Sequence, residues 1–350
     1  MTAEQTIRVG IIGAGANTRL RHLPGFRAIS GVEIAGVVNR TPESTARAAH
    51  ELEIPRTFPN WQALVADPGI DAVCIGAWPN LHCEATCAAL AAGKHVLTEA
   101  RMARNLAEAR EMLAAANRRP DLVAQVVPSP FGLVQDRFVK NLLEQDYLGS
   151  LREVVVLGAD DAFWDYTKLL HWRQDAQISG YNVLSLGILH ETVARWVGRP
   201  TRVFAQSAIF EATRPAPDRP GLIPVTVPEV VNVLAEIDGG ARSVYHFSGM
   251  TLFGPGKQIH LYGSTGTIKL LIAPEERLLC GRPGDKHLRE VTIPPEKQGG
   301  WRVEAEFIGA IRRQETVKFT DFATGVAYME FTEAVARSAA SRQPVDLPLA

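Results

Sequence analysis

Long apolar runs are missing from this 350-residue chain, and none is long enough to cross a bilayer. Its first residues, Met1-Thr2-Ala3-Glu4-Gln5-Thr6, have neither the basic region nor the apolar core of an export signal. A membrane partner is therefore not expected, and the expected location is the cytoplasm. Cysteine is scarce: Cys74, Cys83, Cys87 and Cys280 are all there are. Their scatter excludes a disulfide framework and fits reduced thiols. Cys83 and Cys87 lie one helical turn apart beside His82, but no second group of ligands follows, so no metal is expected. An excess of either charge is also absent, with 37 Lys and Arg against 38 Asp and Glu. That balance excludes the basic surface a nucleic acid needs. Low-complexity linkers and internal repeats are lacking too.

What remains is an ordinary globular composition, 46% hydrophobic, in a chain long enough for two domains. In residues 1–127, short apolar strands at 7–12, 32–38, 72–75, 94–98 and 122–127 alternate with helices near 19–29, 42–52, 80–92 and 105–117. Pro42 suits the first turn of its helix and Gly93 the end of another. Such alternation predicts an α/β domain with a doubly wound parallel sheet. From about 128 the rhythm changes. Helices are expected near 131–145, 183–197, 301–313 and 321–340, and alternating strands between them. Val231, Val233, Ala235 and Ile237 share one strand face, with Asn232 and Glu236 on the other. Asp238-Gly239-Gly240 turns the chain into the strand 241–248, and Gly263-Ser264-Thr265-Gly266 links 258–262 to 267–271. Residues 128–350 are thus expected to form a second, α+β domain with an open, mostly antiparallel sheet. The proline-rich run Arg214 to Pro224 reads as an exposed loop.

Gly13-Ala14-Gly15-Ala16-Asn17-Thr18 follows the first strand and opens the first helix. Gly13 permits the tight turn, Gly15 lets backbone approach a pyrophosphate, and N–H groups at the helix start receive the anion. Thr18 stands where a third glycine is usual. The second strand ends before Asn39-Arg40, where an NAD site commonly carries an acidic residue for the ribose hydroxyls. Asn39 does not repel a 2′-phosphate, and Arg40 can pair with one or stack on adenine. NADP is therefore expected, with NAD as the alternative.

The motifs Gly13-Ala14-Gly15-Ala16 with His22, Asp71-Ala72-Val73 before Trp78-Pro79-Asn80-Leu81-His82, and Ala92-Gly93-Lys94-His95-Val96-Leu97-Thr98-Glu99 resemble the Gfo/Idh/MocA family of oxidoreductases. Trp172-Arg173, Ser185-Leu186-Gly187, Gly263-Ser264-Thr265-Gly266-Thr267-Ile268 and Pro344-Val345-Asp346-Leu347 extend the resemblance over nearly the whole chain. It implies a Rossmann domain, then a substrate-binding and oligomerisation domain whose open sheet face joins copies into a dimer or tetramer. It also implies hydride chemistry on a sugar, cyclitol or related polyol or carbonyl compound. By the same resemblance Gly76, Ala77, Trp78, His82 and Glu99 line the nicotinamide half of the cofactor, joining Gly13, Gly15, Ala16, Asn17, Thr18, Asn39 and Arg40.

The family follows its glutamate with lysine and proline; this chain reads Glu99-Ala100-Arg101. Hydride transfer at an alcohol or carbonyl carbon needs a group to take or give the oxygen's proton. Ala100 cannot do this, and the Arg101 guanidinium stays protonated, so Arg101 is expected to polarise or clamp an oxygen. The second family signature, Asp-x-Gly-x-His with a further Asp, aligns on Ser185, Leu189 and Thr192, none of them ionisable. His190, one residue further on, is the candidate replacement acid–base, though its apolar helical neighbours also suit a packed histidine. Tyr181 is a second candidate. His171, Trp172, Arg173 and Asn182 are the expected substrate contacts. The paired loss leaves two alternatives open: a redox-neutral lyase or hydrolase that retains its nucleotide, and a non-catalytic nucleotide sensor.

Overall fold

The computed structural model describes residues 6–272 and 275–349. They form two compact units. The first comprises residues up to Pro128 together with Arg302–Met329, and the second comprises Ser129–Trp301 and Glu330 onward. The sequence-based division at 127/128 gave the whole C-terminal stretch to the second domain; the structure differs, because 302–329 packs with the first unit. Nothing in the local pattern marks that return, since a helix shows its apolar face but not what will cover it.

In the first unit, β1 (Ile7–Ile12) leads into a π turn at Thr18–His22 and then α1 (Leu23–Arg27), β2 (Val32–Val38) and α2 (Pro42–Glu51). A short α3 (Trp61–Ala66) precedes β3 (Ala72–Ile75), α4 (Pro79–Ala91), β4 (His95–Thr98), α5 (Leu106–Asn117) and β5 (Ala124–Val126). The strands form a parallel sheet in the order β2-β1-β3-β4-β5. Val9, Ile11, Val73, Ile75, Val96 and Leu97 are wholly buried in it. All five carboxyl ends lie along one edge, where doubly wound sheets bind ligands. The strands and long helices stand within a few residues of their expected bounds; α3 was not anticipated, its six residues being too few for a helical period.

Side-chain caps start the helices beside that edge. Thr41 accepts from the Ser44 N–H and Ser44 caps it in return, with Pro42 in the first turn. Asn60 and Asn105 accept from the Ala63 and Glu108 N–H groups. Thr41→Ala is expected to cost about 1 kcal/mol, read as a lower urea midpoint with unchanged slope.

The second unit begins with α6 (Asp136–Glu144), β6 (Leu151–Ala159), α7 (Ala176–Ser179), α8 (Leu186–Val197) and β7 (Pro200–Ala208). Next come β8 (Thr213–Pro215), β9 (Leu222–Pro224), β10 (Val230–Ile237), β11 (Arg242–Ser248), β12 (Gly256–Gly263), β13 (Thr267–Leu271), β14 (Arg277–Gly281) and β15 (Arg289–Glu290). The chain closes with α9 (Val303–Ile311) in the first unit, α10 (Phe322–Ser341), whose residues from Glu330 on belong to the second, and β16 (Val345–Asp346). The large sheet runs β15-β14-β13-β12-β6-β11-β10-β7-β16 and is antiparallel at every pairing except β6 with β11. Val231, Val233, Ala235 and Ile237 are buried on one face, as the alternation predicts. On the other, Phe204, Leu234 and Val244 stand side by side in register at 43%, 56% and 43% exposure.

The stretch 214–224 is not a plain exposed loop. Its ends pair as β8 and β9, and Arg214 is buried in an ion pair with Glu229 at 3.0 Å. A buried guanidinium needs a countercharge, and Glu229 supplies it while also accepting from the Phe210 and Glu211 N–H groups.

Candidate active site

Three glycines build the floor of a cavity of about 530 Å³ at the carboxyl edge of the first sheet. Gly13 has φ +87°, and a Cβ there would lie 2.8 Å from the Ala77 nitrogen. At Gly76 a Cβ would meet the Gly13 carbonyl at 2.4 Å and the Thr18 hydroxyl at 2.1 Å, and at Gly15 it would stand 3.3 Å from the Gly76 carbonyl. The two turns therefore pack backbone on backbone. This explains Thr18 in place of a third glycine: its hydroxyl donates to the Gly13 carbonyl at 3.1 Å, occupying space that Gly76 leaves free.

Asn39 ties this floor to the second strand. Its side-chain carbonyl accepts from the Ala14 N–H at 2.8 Å and its amide donates to the Ser44 carbonyl at 3.0 Å. The side chain is thus a brace for the loop. Arg40 lies with its guanidinium 5.2 Å from the centre of the Trp78 ring, and both line the cavity with Ser44, Asn60 and Trp61. The last three escaped the sequence reading, since no phosphate-loop pattern extends to them.

His82 is enclosed and serves as a strap. One ring nitrogen faces the Ala77 carbonyl at 3.0 Å and the other faces the Arg101 carbonyl at 3.0 Å. Burial pushes its pKa down, against the pull of those carbonyls and of Glu99. The neutral ring carries one N–H and donates to one side at a time. It holds the Ala77 turn to the stretch after Glu99, and it is not a cofactor contact through its ring. Arg101 is buried and follows Ala100 through a cis peptide.

Glu99 ends β4 beside the Gly76 turn, its N–H donating to the Ile75 carbonyl at 3.0 Å. Its carboxylate accepts from the Asn17 amide and lies 2.9 Å from His22 Nε2. His22 Nδ1 lies 2.5 Å from Glu304, which α9 brings from 282 residues away. Burial opposes a charge on His22, but the bonds to Glu304 and Glu99 prevail and push its pKa up to about 9. Burial likewise raises the Glu99 carboxyl, and His22 and then Asn17 more than offset it, leaving its pKa below the usual range. Gly25 makes room for this cluster, since a Cβ there would meet Glu304 Oε2 at 2.6 Å. Sequence reading placed Asn17 and Glu99 at the cofactor but had no signal for Glu304.

The second unit disposes of its candidates differently. His190 is 2% exposed, stacks on Phe331 at 3.6 Å between centroids and lies 3.1 Å from the Tyr245 hydroxyl. Burial, with a smaller push from Arg199, drives its pKa down to about 3. A ring so enclosed and so weakly basic exchanges no proton with a substrate, so the acid–base role expected of His190 gives way to packing. Asn182 also turns inward, its amide donating to the Ser179 carbonyl at 2.7 Å, and is no substrate contact. His171 caps the Trp172–Gln174 turn by accepting from the Arg173 N–H, and the Arg173 guanidinium lies over the Trp172 ring at 4.2 Å. Tyr181 is exposed. Thr192, at a vacated family position, donates to the Ser129 hydroxyl at 2.9 Å.

Among the described residues one group of metal-type ligands gathers: Cys83, Cys87 and, from α5, Glu111, with donor atoms within 4.8 Å of one another. A hydrogen bond with Cys87, then burial, keeps Cys83 a thiol, well above the usual cysteine range. That is the wrong protonation state for a metal ligand.

Comparison with known proteins agrees with this geometry. The profile described as oxidoreductase family, NAD-binding Rossmann fold, matches residues 7–126, and that of the GFO/IDH/MocA C-terminal domain matches 137–269. An uncharacterised oxidoreductase of Synechocystis is 24% identical over 306 residues, 84% of this chain and 81% of that protein. The 1,5-anhydro-D-fructose reductase of Ensifer adhaerens is 39% identical over 109 residues, 31% of this chain and 32% of the reductase. A solved levoglucosan dehydrogenase, in complex with NADH and L-sorbose, shares the fold at a TM-score of 0.88 and 22% identity, covering 98% of this chain and 99% of that one.

Proposed function

The chain belongs to the GFO/IDH/MocA family of oxidoreductases, and from that premise we propose an NADP(H)-dependent enzyme acting on a sugar, cyclitol or related polyol or carbonyl compound. The observation that carries the nucleotide is the glycine floor: Gly13, Gly15 and Gly76 leave backbone open to the cavity at the carboxyl edge of the sheet. When bound, the nucleotide supplies or accepts hydride. The chain's own residues do the rest. Gly13, Gly15, Ala16 and Asn17 hold the pyrophosphate, and Arg40 over Trp78 holds the adenosine end. Gly76, Ala77 and Glu99 face the nicotinamide half.

Arg40 supports NADP. It stands beside a cavity whose neighbouring Asn39 carries no charge to repel a 2′-phosphate, and its guanidinium can bind one in bidentate fashion. For the substrate's proton, Tyr181 remains the candidate with an exchangeable O–H at the surface, and Arg101 the group that polarises an oxygen. The name of the Ensifer reductase supports a sugar-derived carbonyl substrate. The exposed row of Phe204, Leu234 and Val244 supports a homo-oligomer joined through the open sheet face.

Fluorescence titration of the purified chain tests this reading. NADPH is expected to bind at least about tenfold more tightly than NADH, and Arg40→Ala to remove most of that difference by weakening NADPH alone. Tighter binding of NADH, unmoved by Arg40→Ala, overturns the NADP assignment. Binding of neither nucleotide overturns the whole.

A further inference from the structure

In the cluster at the end of β4, the side chains of His22 and Glu304 are 0% and 3% exposed, whereas that of Glu99 is 16% exposed. Glu99 is the one member that opens toward a ligand. It ends β4, on the side of β1 away from β2, whereas the adenosine end belongs at the carboxyl end of β2, where Arg40 follows. A nucleotide laid across the edge with its pyrophosphate over Gly13–Gly15 therefore brings its nicotinamide toward Glu99. The oxidised nicotinamide ring carries a positive charge that the reduced ring lacks. His22 shares its single charge between Glu99 and Glu304, so it does not fully neutralise either carboxylate.

We propose that the Glu99–His22–Glu304 cluster presents negative charge to the nicotinamide and makes the site favour the oxidised over the reduced cofactor. Glu99 is the contact, and Glu304 is a positioning residue that acts through His22. The inference rests on the nucleotide reading above and deepens it, by assigning these residues a role in choosing the cofactor's redox state. One unit charge a few ångströms from another, at the effective dielectric of a protein pocket, is ample for about a tenfold preference.

The test measures Kd for NADP+ and NADPH by calorimetry on the wild type, Glu99→Gln and Glu304→Gln. Glu99→Gln is expected to lower the NADP+ preference about tenfold. Glu304→Gln keeps an acceptor for His22 but lets the imidazolium act on Glu99 alone, and should lower the preference about threefold. If Glu99→Gln fails to fold, Glu304→Gln carries the test. A merely structural role weakens both forms alike, so an unmoved ratio overturns the proposal and leaves nucleotide binding standing. A wild type that binds neither form overturns both readings.

Discussion

Gly13→Val is expected to lose about a hundredfold in NADPH affinity, the sum of about 3 kcal/mol from strain and lost loop contacts. The residue sits at φ +87°, which a β-branched side chain scarcely adopts, and its Cβ would lie within 3 Å of three backbone atoms of Gly76 and Ala77. None of those atoms is a flexible side-chain tip. The loop must lift away, taking with it the N–H groups that meet the pyrophosphate. Thr18 and Asn39 fasten the same loop, so the disturbance extends to both. Titration with NADPH, beside a urea melt, checks the result. Wild-type affinity in a folded variant would show that the turn does not hold the nucleotide.

His22→Ala is expected to cost about 3–5 kcal/mol of stability, because it leaves two carboxylates buried and facing each other without their shared cation. A fall of roughly 10 °C in Tm accompanies a loss of that size in a unit of this length. The pH dependence identifies the cause. His22 titrates at about 9 in the folded chain against an ordinary value of 6.5. Its contribution is therefore fully present below about pH 6.5 and is lost as pH rises through 9, an effect on the order of 3 kcal/mol. Urea melts at pH 6 and pH 9.5 should show this loss in the wild type and not in His22→Ala. An equal loss in both would assign it to other groups.

Much of the first unit was legible in advance. β1, β2 and β3 run between the expected residues, since buried parallel strands read as short apolar runs between turn signals. The glycine turn, Arg40 and Trp78 were legible too, because a phosphate loop uses contiguous residues in fixed order. His190 shows where such reading stops. Its apolar neighbours allowed a packed ring, but the stack on Phe331 and the contact with Tyr245 come from two distant elements. Gly76 was expected at the cofactor, yet the reason it must be glycine, the Thr18 hydroxyl and Gly13 carbonyl against it, needed coordinates.

By itself, then, the order of residues determined the alternating strands and helices of the first unit, the glycine turn and the absence of the family's lysine and histidine at Ala100 and Leu189. These are local facts, settled by side-chain period, backbone freedom and residue type. Only the tertiary structure decided that 302–329 returns to the first unit, that β6 lies parallel to β11, and that Glu304 meets His22. Each depends on which distant surface buries an apolar face or which buried charge finds a partner, and neither is written in the spacing of neighbouring residues.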